Sequence, residues 1–234
     1  KKTKLEIFKN TNDNGIIFEN VDDTNIYNNF KGKQKKVRFG FKNNKVDFLG
    51  QIKKINKKYH FFINNKKIEN PKLNQIMAKN MLASYSVAYT YGISHNIIIE
   101  AFENFNFLDG RGNQIYKNGY LIVDDTYNAN FESFKNGINS FMSISSKGKK
   151  ILVIGDMKEL GKKNDEYHHQ LGQYINNKKP EIVFSLGNSI QITNSQIKNT
   201  YTSLKHFSDF QTLINELKNT ITKDDAIYLK ASRS

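Results

Sequence analysis

The chain is 234 residues long, room for one large domain or two ordinary ones, and its 38% hydrophobic and 12% aromatic content can bury a core, which excludes a disordered protein. No apolar run reaches membrane-span length, the opening KKTKLEIFKN has no apolar leader segment, and the lack of Cys excludes disulfides and thiolate metal sites. The net charge of +14 is spread over lysines mixed with Asn and Ile, without an RNP box or zinc finger, so it reads as solvated lysines with no nucleic-acid partner and no membrane insertion.

The first third alternates short apolar runs with turn-formers. NGIIFEN, KVRFGF, KVDFLGQI and KKYHFFINN read as strands, separated by NDNG, KNNK and NNKK, and predict a small sheet with hairpins. The period then changes: Ile76, Leu82, Val87 and Tyr91 suit a helix over 72–91 that stops at Gly92. A second helix starts after Ser94 and runs to about Phe105. LDGRGN, 108–113, is a glycine-punctuated linker and marks the domain boundary, giving domains 1–107 and 108–234. Beyond it strands and helices alternate. The strands are YLIVD, 149–156, 181–187, 201–207 and 225–232; the helices are 131–145, 165–177 and 209–221, the last behind Ser208 as its cap. Strands alternating with helices of this length argue an α/β fold with a mostly parallel, Rossmann-like sheet.

Two strands end on chemistry. In GYLIVDDTYNANFES, 119–133, an apolar run meets Asp124 and Asp125, then Tyr127-Asn128-Ala129-Asn130. Such groups are costly to bury unpaired. An acidic turn and a helix cap account for them; so does a ligand site at the carboxyl end of a parallel strand. In ILVIGDMKELG, 151–161, Asp156 and Glu159 likewise follow a strand, which favours one shared crevice. There is no GxGxxG and no GxxxxGK[ST], so neither a dinucleotide fingerprint nor a P-loop lies in this chain. The five His show no metal-ligand spacing.

DDTYNANFES, GDMKELG, His168 seven residues further on and KASRS at the end together resemble the carboxyl-terminal domain of the Mur ligase family. Gly110-Arg111 stands where that family has an interdomain Gly-Arg, Asn80 in NMLAS where it ends an adenine-side helix motif, FENVDD where a central-domain strand closes, and KLEIF where a lysine becomes a carbamate. The resemblance is strong from 108 to 234 and weaker before. Three departures stand out: Phe131 replaces a Pro, Ala231 a Gly, and Ile76-Met77 a His-Asn, which leaves Asn80 to serve the adenine side.

The resemblance implies that residues 1–107 are the second half of a central ATPase domain, with a small sheet and helices, and 108–234 the ligase domain. A chain that starts without Met and lacks a P-loop is then expected to be a fragment, inactive by itself. The implied chemistry is ATP-dependent amide-bond formation through an acyl phosphate, with ATP and Mg2+ as cofactors. Within the family, Tyr-Asn-Ala-Asn instead of Tyr-Ala-His implies D-alanyl-D-alanine and UDP-N-acetylmuramoyl-tripeptide as partners, in a cytoplasmic monomer of peptidoglycan precursor synthesis. By the same resemblance Lys4, as a carbamate, holds magnesium; Asn80, Arg111, Asp125, Tyr127, Asn128 and Asn130 serve ATP; Asp156, Glu159, His168, Lys230 and Arg233 serve the other substrates. Each has a plainer reading. Lys4 is one lysine among many, Arg111 a solvated linker arginine, Asn130 a helix cap, Asp156 and Glu159 a loop turn. Another Mur-type amide ligase, related to folylpolyglutamate synthetase, fits YNAN and GDMKELG less well, and a basic nucleic-acid-binding module rests on charge alone.

Overall fold

The computed structural model describes residues 6, 10–24, 27, 32–42, 45–55, 58–68, 75–105 and 109–233. KLEIF, with Lys4, falls outside the described residues apart from Glu6. The chain divides into two compact units, Lys1–Phe105 and Asn106–Ser234.

In the first unit β1 (Ile16–Asn20), β2 (Lys35–Gly40), β3 (Phe48–Ile55), β4 (Lys58–Ile63) and β5 (Lys66–Ile68) form one sheet in that order. The expected hairpins exist only in its second half. β1, β2 and β3 pair in parallel, whereas β3, β4 and β5 form an antiparallel meander. On β1 Ile17 and Glu19 are buried while Phe18 between them is half-buried, which marks the packed face, since side chains alternate along a strand. α1 (Gln75–Thr90) packs on β1, β2 and β3 with Met81, Leu82 and Tyr85 buried, and α2 (His95–Glu103) packs against α1. Ser94 holds the N-cap position of α2 but its side chain makes no capping bond.

The second unit alternates strands and helices as expected, with a short helix, α5, in addition to the three expected ones: β6 (Asn113–Lys117), β7 (Tyr120–Asp124), α3 (Phe131–Met142), β8 (Lys150–Gly155), α4 (Asn164–Lys178), β9 (Ile182–Leu186), α5 (Ile190–Asn194), β10 (Ser203–Phe207), α6 (Phe210–Thr220) and β11 (Ala226–Lys230). The sheet order is β10-β9-β8-β11-β7-β6, parallel except for β6 against β7. Three successive crossovers step toward β10 and the last returns to β11. Right-handed crossovers in opposite directions put their helices on opposite faces. The packing agrees: Phe134, Ile138, Phe141, Leu171, Ile175 and Ile190 bury one face, while Leu213 of α6 joins Phe184 and Phe207 on the other. Burial of each such side chain contributes about 1.5–3 kcal/mol. The carboxyl ends of β7, β11, β8 and β9 therefore lie along one edge, where open α/β sheets carry their sites.

Two local expectations change. The cap of α6 is Asp209, whose carboxylate accepts from Thr212 N at 2.8 Å, and not Ser208. β6 was unforeseen, because its residues are almost all exposed and show no apolar alternation.

Candidate active site

The loop after β7 is built from both sides. Gly110, with φ +73°, accepts from Tyr127 N at 2.9 Å, and a Cβ there would stand 2.7 Å from that nitrogen. Only glycine allows this approach. It places Arg111 so that its guanidinium lies 3.6 Å from the centre of the Tyr127 ring. Arg111 and Tyr127 are both exposed. Asp124 turns back on its own chain and accepts from Thr126 N and Oγ1. Asn128 Oδ1 accepts from Ala129 N at 2.8 Å. Asn130 caps α3: its Oδ1 accepts from Ser133 N at 2.8 Å while Ser133 Oγ accepts from Asn130 N at 3.0 Å. This reciprocal box satisfies two helix-end donors.

Underneath lies Lys230, the last residue of β11, with its side chain 1% exposed. Its ammonium donates to Asp125 Oδ2 at 2.7 Å, to Asn128 O at 3.0 Å and to Asp125 O at 3.3 Å. Tyr228 OH donates to the same carboxylate oxygen at 2.7 Å. Burial pulls the Lys230 ammonium below the usual lysine range; the Asp125 carboxylate opposes that and the Arg111 charge adds to it. Burial, then the Asp125 charge, pushes the Tyr228 phenol well above its ordinary range, so it stays a donor. The loop from 125 to 130 is thus clamped by a buried cation, with Asp125 Oδ1 outside that clamp.

The loop after β8 is arranged differently. Asp156, expected beside the incoming amine, has both oxygens occupied: Oδ1 accepts from Ile190 N at 2.7 Å and Oδ2 from Asn188 N at 3.1 Å. It ties the turn before α5. His168 is fully buried. Its Nε2 accepts from Met157 N at 3.2 Å and its Nδ1 meets Asn164 O at 2.9 Å. An amide can only donate and a carbonyl only accept, so the proton sits on Nδ1 and the ring is a brace. Lys230 is likewise occupied, a buried ammonium bonded to three oxygens. Glu159, with φ +61°, and Arg233 are exposed at the same edge. Ser232 links the two loops: its N donates to Asp156 O, its Oγ accepts from Lys158 N and donates to Ala129 O.

The structure therefore gathers Arg111, Asp125, Tyr127, Asn128, Asn130 and Lys230 around one loop, while Asp156 and His168 bond to backbone groups of the neighbouring turn. Tyr228 was missed; its position in a buried strand gave no signal. Asn80 is exposed on α1 in the first unit. Next to it, Lys79 lines a cavity of about 370 Å³ with Asn20, Asp22, Asp23, Thr24 and Gly40. Asp22, on its wall, accepts from Phe41 N at 2.7 Å and Lys42 N at 3.1 Å. Among the described residues no three His, Cys, Asp or Glu come together as a metal site.

An open, mostly parallel α/β domain with a clamped polar loop at its carboxyl edge belongs to the class that binds a ligand there. The family described as Mur ligase, glutamate ligase domain, matches residues 110–233. The chain belongs to the Mur ligase family. Along its whole length it is 32% identical to UDP-N-acetylmuramoyl-tripeptide–D-alanyl-D-alanine ligase of Buchnera aphidicola subsp. Baizongia pistaciae, covering 51% of that protein. It is 28% identical to the ligase of the same name from Bacillus subtilis, over 99% of the chain and 51% of the relative. The crystal structure of MurF ligase from Thermotoga maritima in complex with ADP matches 99% of the chain and 53% of its own at 28% identity, with a TM-score of 0.79. The chain spans about half the length of the relatives it matches.

Proposed function

We propose that the chain is part of an ATP-dependent amide ligase that adds D-alanyl-D-alanine to UDP-N-acetylmuramoyl-tripeptide, acting as a cytoplasmic monomer in peptidoglycan precursor synthesis. The observation that carries this reading is similarity along the whole chain to relatives of that name. The Tyr-Asn-Ala-Asn loop, held from below by Lys230, agrees with it.

In this reading ATP phosphorylates the terminal carboxylate of the tripeptide, releasing ADP. The dipeptide amine attacks the acyl phosphate, loses a proton, and phosphate leaves from the tetrahedral intermediate. A carboxylate is a poor electrophile and both partners are anionic, so the site has to supply positive charge. Arg111 fits: its guanidinium is planar, exposed and held on the Tyr127 ring, and it can fork onto phosphate oxygens. Asn128 and Asn130 add side-chain amides from the loop, and Asn80 serves the adenine side. Asp125, an anion, suits a hydroxyl rather than a phosphate. Magnesium would lend charge neutralisation; the described residues offer it no cluster of His, Cys, Asp or Glu, and Lys4 lies outside them.

The test is ligation itself. The full-length protein, given ATP, the UDP-tripeptide and D-alanyl-D-alanine, is expected to yield amide product and phosphate in equal amounts. The 234-residue chain alone is expected to yield none, because it has no P-loop. Ligation by the isolated chain, or none by the full-length protein, refutes the reading. Salt-sensitive binding of nucleic acid in place of ligation would favour the basic-module alternative.

A further inference from the structure

Tyr228 is 1% exposed in the middle of β11, and its ring stacks on Phe141 with centroids 5.5 Å apart. Hydrophobic packing would be met equally well by phenylalanine. The hydroxyl instead reaches Asp125 Oδ2, 103 residues earlier in the chain. Space for it comes from α3, where a Cβ on Gly137 would lie 1.8 Å from the phenol oxygen. Glycine inside a helix is unfavourable, so this notch carries a cost that packing alone does not explain. Phenol and ammonium both donate to one carboxylate oxygen, which faces that oxygen inward. Lys230 also holds Asp125 O and Asn128 O, which passes this orientation on to the loop backbone.

We propose that Tyr228 is a positioning residue for the ligation: its hydroxyl, admitted by the Gly137 notch, locks Asp125 and thereby sets the loop from which Asn128 and Asn130 address the nucleotide. The inference rests on the proposed function. It is not needed for the fold, since Tyr228→Phe keeps the ring and its contacts and removes only one donor.

The experiment compares the full-length protein with Tyr228→Phe, Gly137→Ala and the double variant, by steady-state ligation and thermal unfolding. If the unaltered protein does not ligate, the proposed function has failed. If it ligates, the comparison judges Tyr228. Tyr228→Phe is expected to melt within about 5 °C of the parent while kcat drops roughly tenfold and KM for ATP stays the same, the pattern of a contact that matters in the transition state. Gly137→Ala displaces the hydroxyl and is expected to lower stability and kcat together. Adding Tyr228→Phe to Gly137→Ala removes the closest contact, at 1.8 Å, but leaves the ring Cζ 2.8 Å and Asp125 Oδ2 3.1 Å from the new Cβ, so stability rises in part and kcat does not. A hydroxyl that is merely a satisfied core group predicts the opposite: parental kcat in Tyr228→Phe, and kcat recovering with stability in the double variant. Either of those results overturns the proposal.

Discussion

The ends of β7 and β8 are alike in sequence and opposite in how their acids are bonded. Each closes an apolar strand on an aspartate followed by a turn. After β7, the Asp125 carboxylate is neutralised from below by Lys230 and Tyr228, and Arg111, Tyr127, Asn128 and Asn130 remain exposed above it. After β8, the Asp156 carboxylate is taken up by backbone amides of the next crossover, and His168 braces the turn. Asp156 accepts a backbone amide on each oxygen, whereas both bonds to the Asp125 carboxylate fall on Oδ2 and leave Oδ1 outside the clamp. What decides this is the backbone that arrives from elsewhere.

The difference can be broken by substitution. The largest effect is expected from Lys230→Met, which leaves Asp125 charged and without its cation. The cost should be about 3 kcal/mol, the lower end for breaking a buried pair, because water still reaches part of Asp125. Urea unfolding reads it directly, and parental stability would show that the clamp is not what holds the loop. Asp156→Ala comes next. It orphans the Asn188 and Ile190 amides and should lower stability by about 2 kcal/mol, with ligation following the folded fraction. Ligation lost from a fully stable Asp156→Ala protein would return Asp156 to the substrate site. Asn130→Ala is the smallest: loss of the cap should cost about 1 kcal/mol, visible as a small fall in the unfolding midpoint.

Much of this architecture can be read from the sequence because the second unit keeps its rules. Apolar runs of five or six residues between amphipathic helices argue a mostly parallel sheet with covered faces. Asn130 also reads correctly as a cap, since capping is local in sequence. What escapes is non-local. Parallel pairing of β1, β2 and β3 has no signature, as their connections carry no helical pattern. β6 is an exposed edge strand without alternation. Asp156 meets its amides 32 and 34 residues away, and Tyr228 meets Asp125 across 103. Gly137 reads as a weak point in a helix until the phenol it admits is seen.

Whether the loop after β7 faces the nucleotide as well as capping a helix is decided by Asn130→Asp in the full-length protein, which separates these roles. Aspartate caps as well as asparagine, so the unfolding temperature should stay nearly unchanged. A negative charge added beside the ATP phosphates should depress kcat and kcat/KM together, by roughly a hundredfold if the lost contact resembles an oxyanion donor. A stable Asn130→Asp protein that ligates at the parental rate would contradict the account and leave Asn130 with the cap alone.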